Sequence, residues 1–183
     1  MTRYGLWFGG ALVLAAALLI GVDVTARKFF DASIGGADEL AGYALALGTA
    51  WSLAATLLER AHIRIDSLYV LFPRGLRLAL DFAGVALLLG FFGLIARHGW
   101  NVVEQSWVSS SRSQSALATP IVIPQAIWVA GLALFFLVGL GLLAYAAALI
   151  ARGKVAEATR LISTRSAAEE VEDEIRDLKE AQR

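Results

Sequence analysis

Hydrophobic and polar positions divide the chain into long apolar stretches separated by short charged ones. Four stretches, 4–24, 40–58, 76–96 and 124–150, carry few or no charges. Each approaches or exceeds the roughly 20 residues that a helix needs to cross a hydrocarbon core of about 30 Å. None alternates with the period of two that a barrel strand requires, and in lipid only a helix or a closed barrel satisfies the backbone. The pattern therefore predicts an all-α membrane protein with four transmembrane helices.

The charges refine this outline. The second stretch is uncharged throughout, and the fourth lies in an uncharged run from 113 to 151. The third has Arg77 and Asp81 in its first turns, and the first ends at Asp23 with Arg27 one turn on. Both are i, i+4 pairs able to neutralise themselves at the headgroups. A cleaved leader is the rival for the first stretch, with "VTA" at 24–26 as its cut. The apolar run is longer than a leader's, and Asp23 sits awkwardly beside that cut. Near the membrane, lysine and arginine favour the side holding both termini and the middle loop: Arg3, Arg60, Arg64, Arg74, Arg77, Arg152, Lys154 and Arg160, against Arg27, Lys28, Arg97 and Arg112. Both termini are thus expected in the cytoplasm.

Composition agrees with membrane residence: 58% of the 183 residues are hydrophobic and 17% charged, with a mean hydropathy of +0.65. Zero net charge and no aromatic-interleaved basic stripe argue against a nucleic-acid partner. The absence of cysteine excludes a disulfide framework, a thiolate nucleophile and a sulfur-ligated metal. The chain divides into a transmembrane domain, 1–152, and a charged cytosolic tail, 153–183. In the tail "SAAE" at 166–169 forms a capping box ahead of a short helix, with a solvated end as the default.

Candidate chemistry gathers at the ends of the spans. In "LERAHIRIDSLY" at 58–69, Arg60, His62, Arg64 and Asp66 form a juxtamembrane turn, with Asp66 capping an in-plane helix over 67–72 that Pro73 ends. His62 and His98 fall at opposite ends of their spans, roughly a bilayer thickness apart, so one haem cannot bridge them. Arg97 and His98 are expected to close the third helix before Gly99 as its C-cap. Trp51, deep in the second span, is expected to pack against protein. The serines at 106–115 have no histidine base nearby, and nothing else marks an enzyme. Pro120 breaks the backbone and Pro124 suits the first turn of the fourth helix.

The spans lack ionisable groups at their centres, where a carrier of ions or protons keeps them. Asp38 and Glu39, at the mouth of the second span, are the nearest to an exception. A stand-alone homodimeric exporter with Glu39 as its proton site is the alternative that they leave open. The second span also bears a stripe of small residues, Ala41, Ala44, Gly48, Ser52 and Ala55, on one helix face. Such a stripe lets backbones approach in lipid. It serves packing against the chain's own helices or a contact between subunits, and the sequence favours neither. Gly5 and Gly9 form a weaker motif of the same kind.

Four of these features, in order, resemble the small permease subunit of tripartite ATP-independent periplasmic (TRAP) transporters: Arg27 in "TARKFF", Glu39 in "GADEL", "HIRID" at 62–66, and "TPIVIPQAIW" at 119–128. The resemblance covers about 20–140 and leaves out the tail. It implies a bacterial inner-membrane scaffold for a large membrane subunit, which carries substrate and sodium, while a periplasmic substrate-binding protein delivers an organic acid. No cofactor is implied in the small subunit itself. Arg60, His62, Arg64 and Asp66 would then set the inner loop among lipid headgroups or against the large subunit, with Arg27 and Glu39 pairing outside.

Overall fold

A computed structural model describes residues 2–60, 72–163 and 175, with side chains from residue 7 onward except at 74. The helices are α1 (Thr2–Phe30), α2 (Ala37–Leu58), α3 (Arg74–Val108), α4 (Val122–Ala151) and α5 (Val155–Ile162). The first four contain segments long and apolar enough to cross a membrane: Trp7–Phe30, Ala37–Leu58, Gly75–Val108 and Val122–Ala151. The described residues contain no strand, only an isolated bridge between Arg112 and Pro120. The inner turn at 62–66 lies outside the described residues, as do the in-plane helix short of Phe72 and, Ile175 apart, the tail helix after 166.

The extensive contacts run α1 with α2, α2 with α4, and α4 with α3, so the helices stand in a row rather than in chain order. Each seam has its own packing. Between α1 and α2 the backbones nearly touch: a Cβ on Gly9 would lie 2.9 Å from the Gly48 carbonyl oxygen, and one on Gly48 3.1 Å from that of Gly9. Between α2 and α4, Trp51 donates its indole N–H to the Ile127 carbonyl at 3.1 Å. Its ring fills the space over Gly131, where a Cβ would lie 2.9 Å from Trp51 Cδ1, so Trp51 does pack against protein. Between α3 and α4 lies the apolar centre, Phe135, fully buried beside Leu89 and joined by Ala54 and Leu57 of α2. Phe92 meets the Phe135 ring edge-on at 5.1 Å.

Two helices outrun their expected ends. Hydropathy marks where a chain leaves lipid, whereas a helix continues until its backbone is diverted, so α1 passes Asp23 and reaches Phe30 and α3 passes Gly99 and reaches Val108. Gly99 is therefore not a C-cap. A Cβ there would sit 2.9 Å from Trp128 Cζ3 and 3.0 Å from Val129 Cγ2, so the glycine makes room for α4. The true end of α3 is a Schellman turn: Ser110, with φ 50°, donates its N–H to the Trp107 carbonyl, and Ser111 returns to Ser106 at 3.1 Å.

At the other end of the row, the first part of the tail folds back instead of trailing into solvent. Gly153, with φ 77°, reverses the chain after α4, and α5 then packs on α4 and more lightly on α3 with Ala158 and Ile162 buried. Lys154 donates to Glu157 at 2.9 Å, which holds its ammonium above the usual pKa. Both side chains are more than half exposed, so this pair adds little stability.

Candidate functional site

The α1–α2 turn and the α3–α4 loop share one end of the row, and two carboxylates organise it. Asp23 is 1% exposed, a position that a carboxylate tolerates only when fully hydrogen-bonded. Its Oδ2 accepts Arg27 Nη2, while Oδ1 accepts the Ile34 backbone N–H at 2.6 Å and the Ser33 hydroxyl at 3.1 Å. One side chain near the end of α1 thus fastens the turn that leads into α2.

Glu39 lies in the first turn of α2, where a carboxylate complements the helix dipole. Its oxygens are already engaged: Oε1 accepts the Tyr43 hydroxyl at 2.8 Å, and Oε2 accepts the Ser115 hydroxyl. Ser115 belongs to a compact serine loop. Its Oγ accepts the Leu117 N–H at 3.1 Å, Ser113 Oγ accepts the Thr119 N–H at 3.0 Å, and the Ser113 N–H meets the Thr119 carbonyl at 2.9 Å. Arg112 spans this loop to the Ala118 carbonyl at 3.0 Å. Gly36 has φ 89° at the start of α2 and faces Leu117, and Gly35 faces Ala116 at 3.0 Å from a notional Cβ. The two loops are thereby locked together.

The other predicted positions separate into groups. Arg27, 54% exposed on its side chain, pairs with Asp23. The expected Arg27–Glu39 pair does not form, because Asp23 stands one helical turn from the arginine while hydroxyls occupy Glu39. In the small-residue stripe, Ala41, Gly48 and Ala55 are buried, and Ala44 and Ser52 are half-buried. Gly48 and Ser52 face Gly9 of α1, so this part of the stripe packs within the chain. Arg60, with φ 59° just after α2, lies at the opposite end, where its Nε donates to the Ser163 carbonyl. His62, Arg64 and Asp66 lie outside the described residues. Pro120 enters the loop's bridge, and Pro124 sits in the first turn of α4, beside Tyr43 and Leu47 of α2. The sequence reading missed the reach of Asp23 to the turn and the hydroxyl set around Glu39, since Ser115 stands 76 positions from that glutamate.

The hydroxyls of α2 bond back to their own helix: Thr49 to the Leu45 carbonyl at 2.7 Å, Ser52 to Thr49 at 3.0 Å and Thr56 to Ser52 at 2.9 Å. Among the described residues, no group of three or more His, Cys, Asp or Glu side chains is placed to hold a metal ion. The arrangement serves to hold loops and helices in fixed relation, and the described group beside Ser115 is the Glu39 carboxylate.

A family model described as the DctQ component of tripartite ATP-independent periplasmic transporters matches residues 16–149. The chain belongs to this family. It is the small permease component of a TRAP transporter, a multi-pass membrane protein from a family of transporter components. No match was found among curated proteins. The matched stretch of this TRAP small subunit includes Asp23, Glu39 and the serine loop and stops short of α5. The stand-alone exporter has no support from this assignment.

Proposed function

We propose that this TRAP small subunit braces a large transport subunit in the bacterial inner membrane, within a sodium-coupled system that takes up an organic acid from a periplasmic binding protein. Both termini would face the cytoplasm, and the Asp23–Glu39 end the periplasm. Sodium and substrate would reside on the large subunit. Arg60, His62, Arg64 and Asp66 would hold the inner turn among headgroups or against that partner. Arg27, half exposed beside the buried Asp23, would face the partner or the headgroups outside, while Glu39 shapes the loop from within. The inward part of the small-residue stripe serves the chain, leaving the outward flanks of α1 and α3 for a partner.

One observation carries this reading: the hydroxyls of α2 and the Trp51 indole are satisfied within the chain. A solute path needs polar groups that face it. Co-expression with the large subunit followed by detergent purification is expected to recover both chains together, and the small subunit alone in liposomes should move no solute. Uptake by the lone chain that Glu39→Gln abolishes would overturn the proposal. The chain has no cysteine, so Ser110→Cys reports orientation: it should react with an impermeant maleimide added outside the inner membrane.

A further inference from the structure

We propose that α5 is a releasable strap through which the C-terminal tail controls the end of α2, where the inner turn begins. The strap starts at Gly153, whose φ of 77° turns the chain back on itself, and it packs on α4 with a lighter contact to α3. It ends at Ser163, whose N–H bonds to the Thr159 carbonyl at 2.9 Å and whose own carbonyl accepts Arg60 Nε. Ser163 and Arg60 are 103 positions apart, so this contact ties the tail to the exit of the second span. The whole strap lies outside the stretch that the family model matches, which stops at 149.

Arg60 is the residue at which such a tie matters. It occupies the left-handed region at φ 59°, a conformation that glycine takes freely just past a helix and that strains a residue with a Cβ. It persists where the surroundings hold it. From α2 the hold comes through the Glu59 N–H on the Ala55 carbonyl at 2.9 Å and the Arg60 N–H on the Leu57 carbonyl at 3.2 Å. From the tail, the Ser163 carbonyl anchors the arginine side chain. Undocking the strap removes that anchor from the residue that aims the chain into the inner turn. The strap is also built to open: it is eight residues long and buries only the side chains of Ala158 and Ile162, so its docking is weak beside that of the spans. Whatever draws the tail from α4 therefore loosens the end of α2, and by linkage whatever fixes that end favours the docked strap.

The test uses the full chain in lipid nanodiscs, with amide hydrogen exchange read at 57–60 and trypsin cleavage after Arg160 reporting release of the strap. Ile162→Asp should release it and speed exchange at 57–60 about tenfold, the worth of one hydrogen bond from a charged donor, while exchange at 31–36, at the other end of the row, stays unchanged. A chain that ends at Arg152 lacks the strap outright and should give the same result. Arg60→Gly, which takes φ 59° without strain, should uncouple the two: adding Ile162→Asp to it should change exchange at 57–60 by less than about twofold. Release of the strap with exchange at 57–60 unchanged, equal acceleration at 57–60 and 31–36, or the full acceleration in the Arg60→Gly background would each overturn the proposal. The coupling lies within one chain, so its failure is distinguishable from failure of the bracing role, which co-purification scores separately.

Discussion

Between α1 and α2 the glycines face one another, and between α3 and α4 they face large side chains. Gly9 and Gly48 bring two backbones together, so the atom that a new Cβ would strike is a carbonyl oxygen fixed in its helix. Gly93 instead receives the edge of the Phe136 ring, Gly99 receives Trp128, and Gly139 receives Leu89. The same residue type makes one seam intolerant of any side chain and the other a socket whose occupant can move. Close approach compensates for the missing hydrophobic drive between helices in lipid; the socketed seam relies on filling space with aromatic and aliphatic groups.

The largest effect that would test this contrast is Gly48→Leu, which should part α1 from α2 and cost about 3 kcal/mol or more, measured by thermal unfolding in detergent. A loss no greater than that of a socket variant would erase the distinction. Asp23→Ala should follow, at about 2 kcal/mol, because the Ile34 N–H, the Ser33 hydroxyl and Arg27 all lose the one carboxylate that they share. Faster proteolysis within 31–36 would locate the damage in the turn. Gly93→Ala is expected to cost about 1 kcal/mol, since the contact at 3.0 Å is with the end of the Phe136 ring, and a second change of Phe136→Leu should recover it. Smallest is Trp51→Phe, which deletes one indole hydrogen bond to Ile127 across the middle seam and should cost about 0.6 kcal/mol; hydrogen exchange in α4 checks it.

The four spans were legible because each is a long apolar run, and runs of that length have one economical fate in lipid. Their ends were less so. Arg97 and His98 mark where α3 becomes polar, yet the helix continues because nothing there diverts the backbone, and Gly99 is needed by Trp128 rather than by a cap. The i, i+4 link of Asp23 and Arg27 could be read from spacing alone, but not the grip of Asp23 on Ser33 and Ile34, which depends on the turn bending back over α1. Glu39 stood out as an acidic residue at a helix start. What holds it is a serine loop whose local composition suggests only solvent exposure. The docking of α5 was legible but not read: in VAEATRLI only Glu157 and Arg160 are charged, and Ala158 and Ile162 lie one turn apart on an apolar face, which eight residues display too briefly to distinguish from a solvated tail.

Because its helices stand side by side, α1, α2, α4, α3, this protein is built as a fence and not as a drum. A drum encloses volume and can hide what it carries; a fence has only breadth. Its length is set by how many posts it has, and pushing on either broad side loads the joints between neighbours.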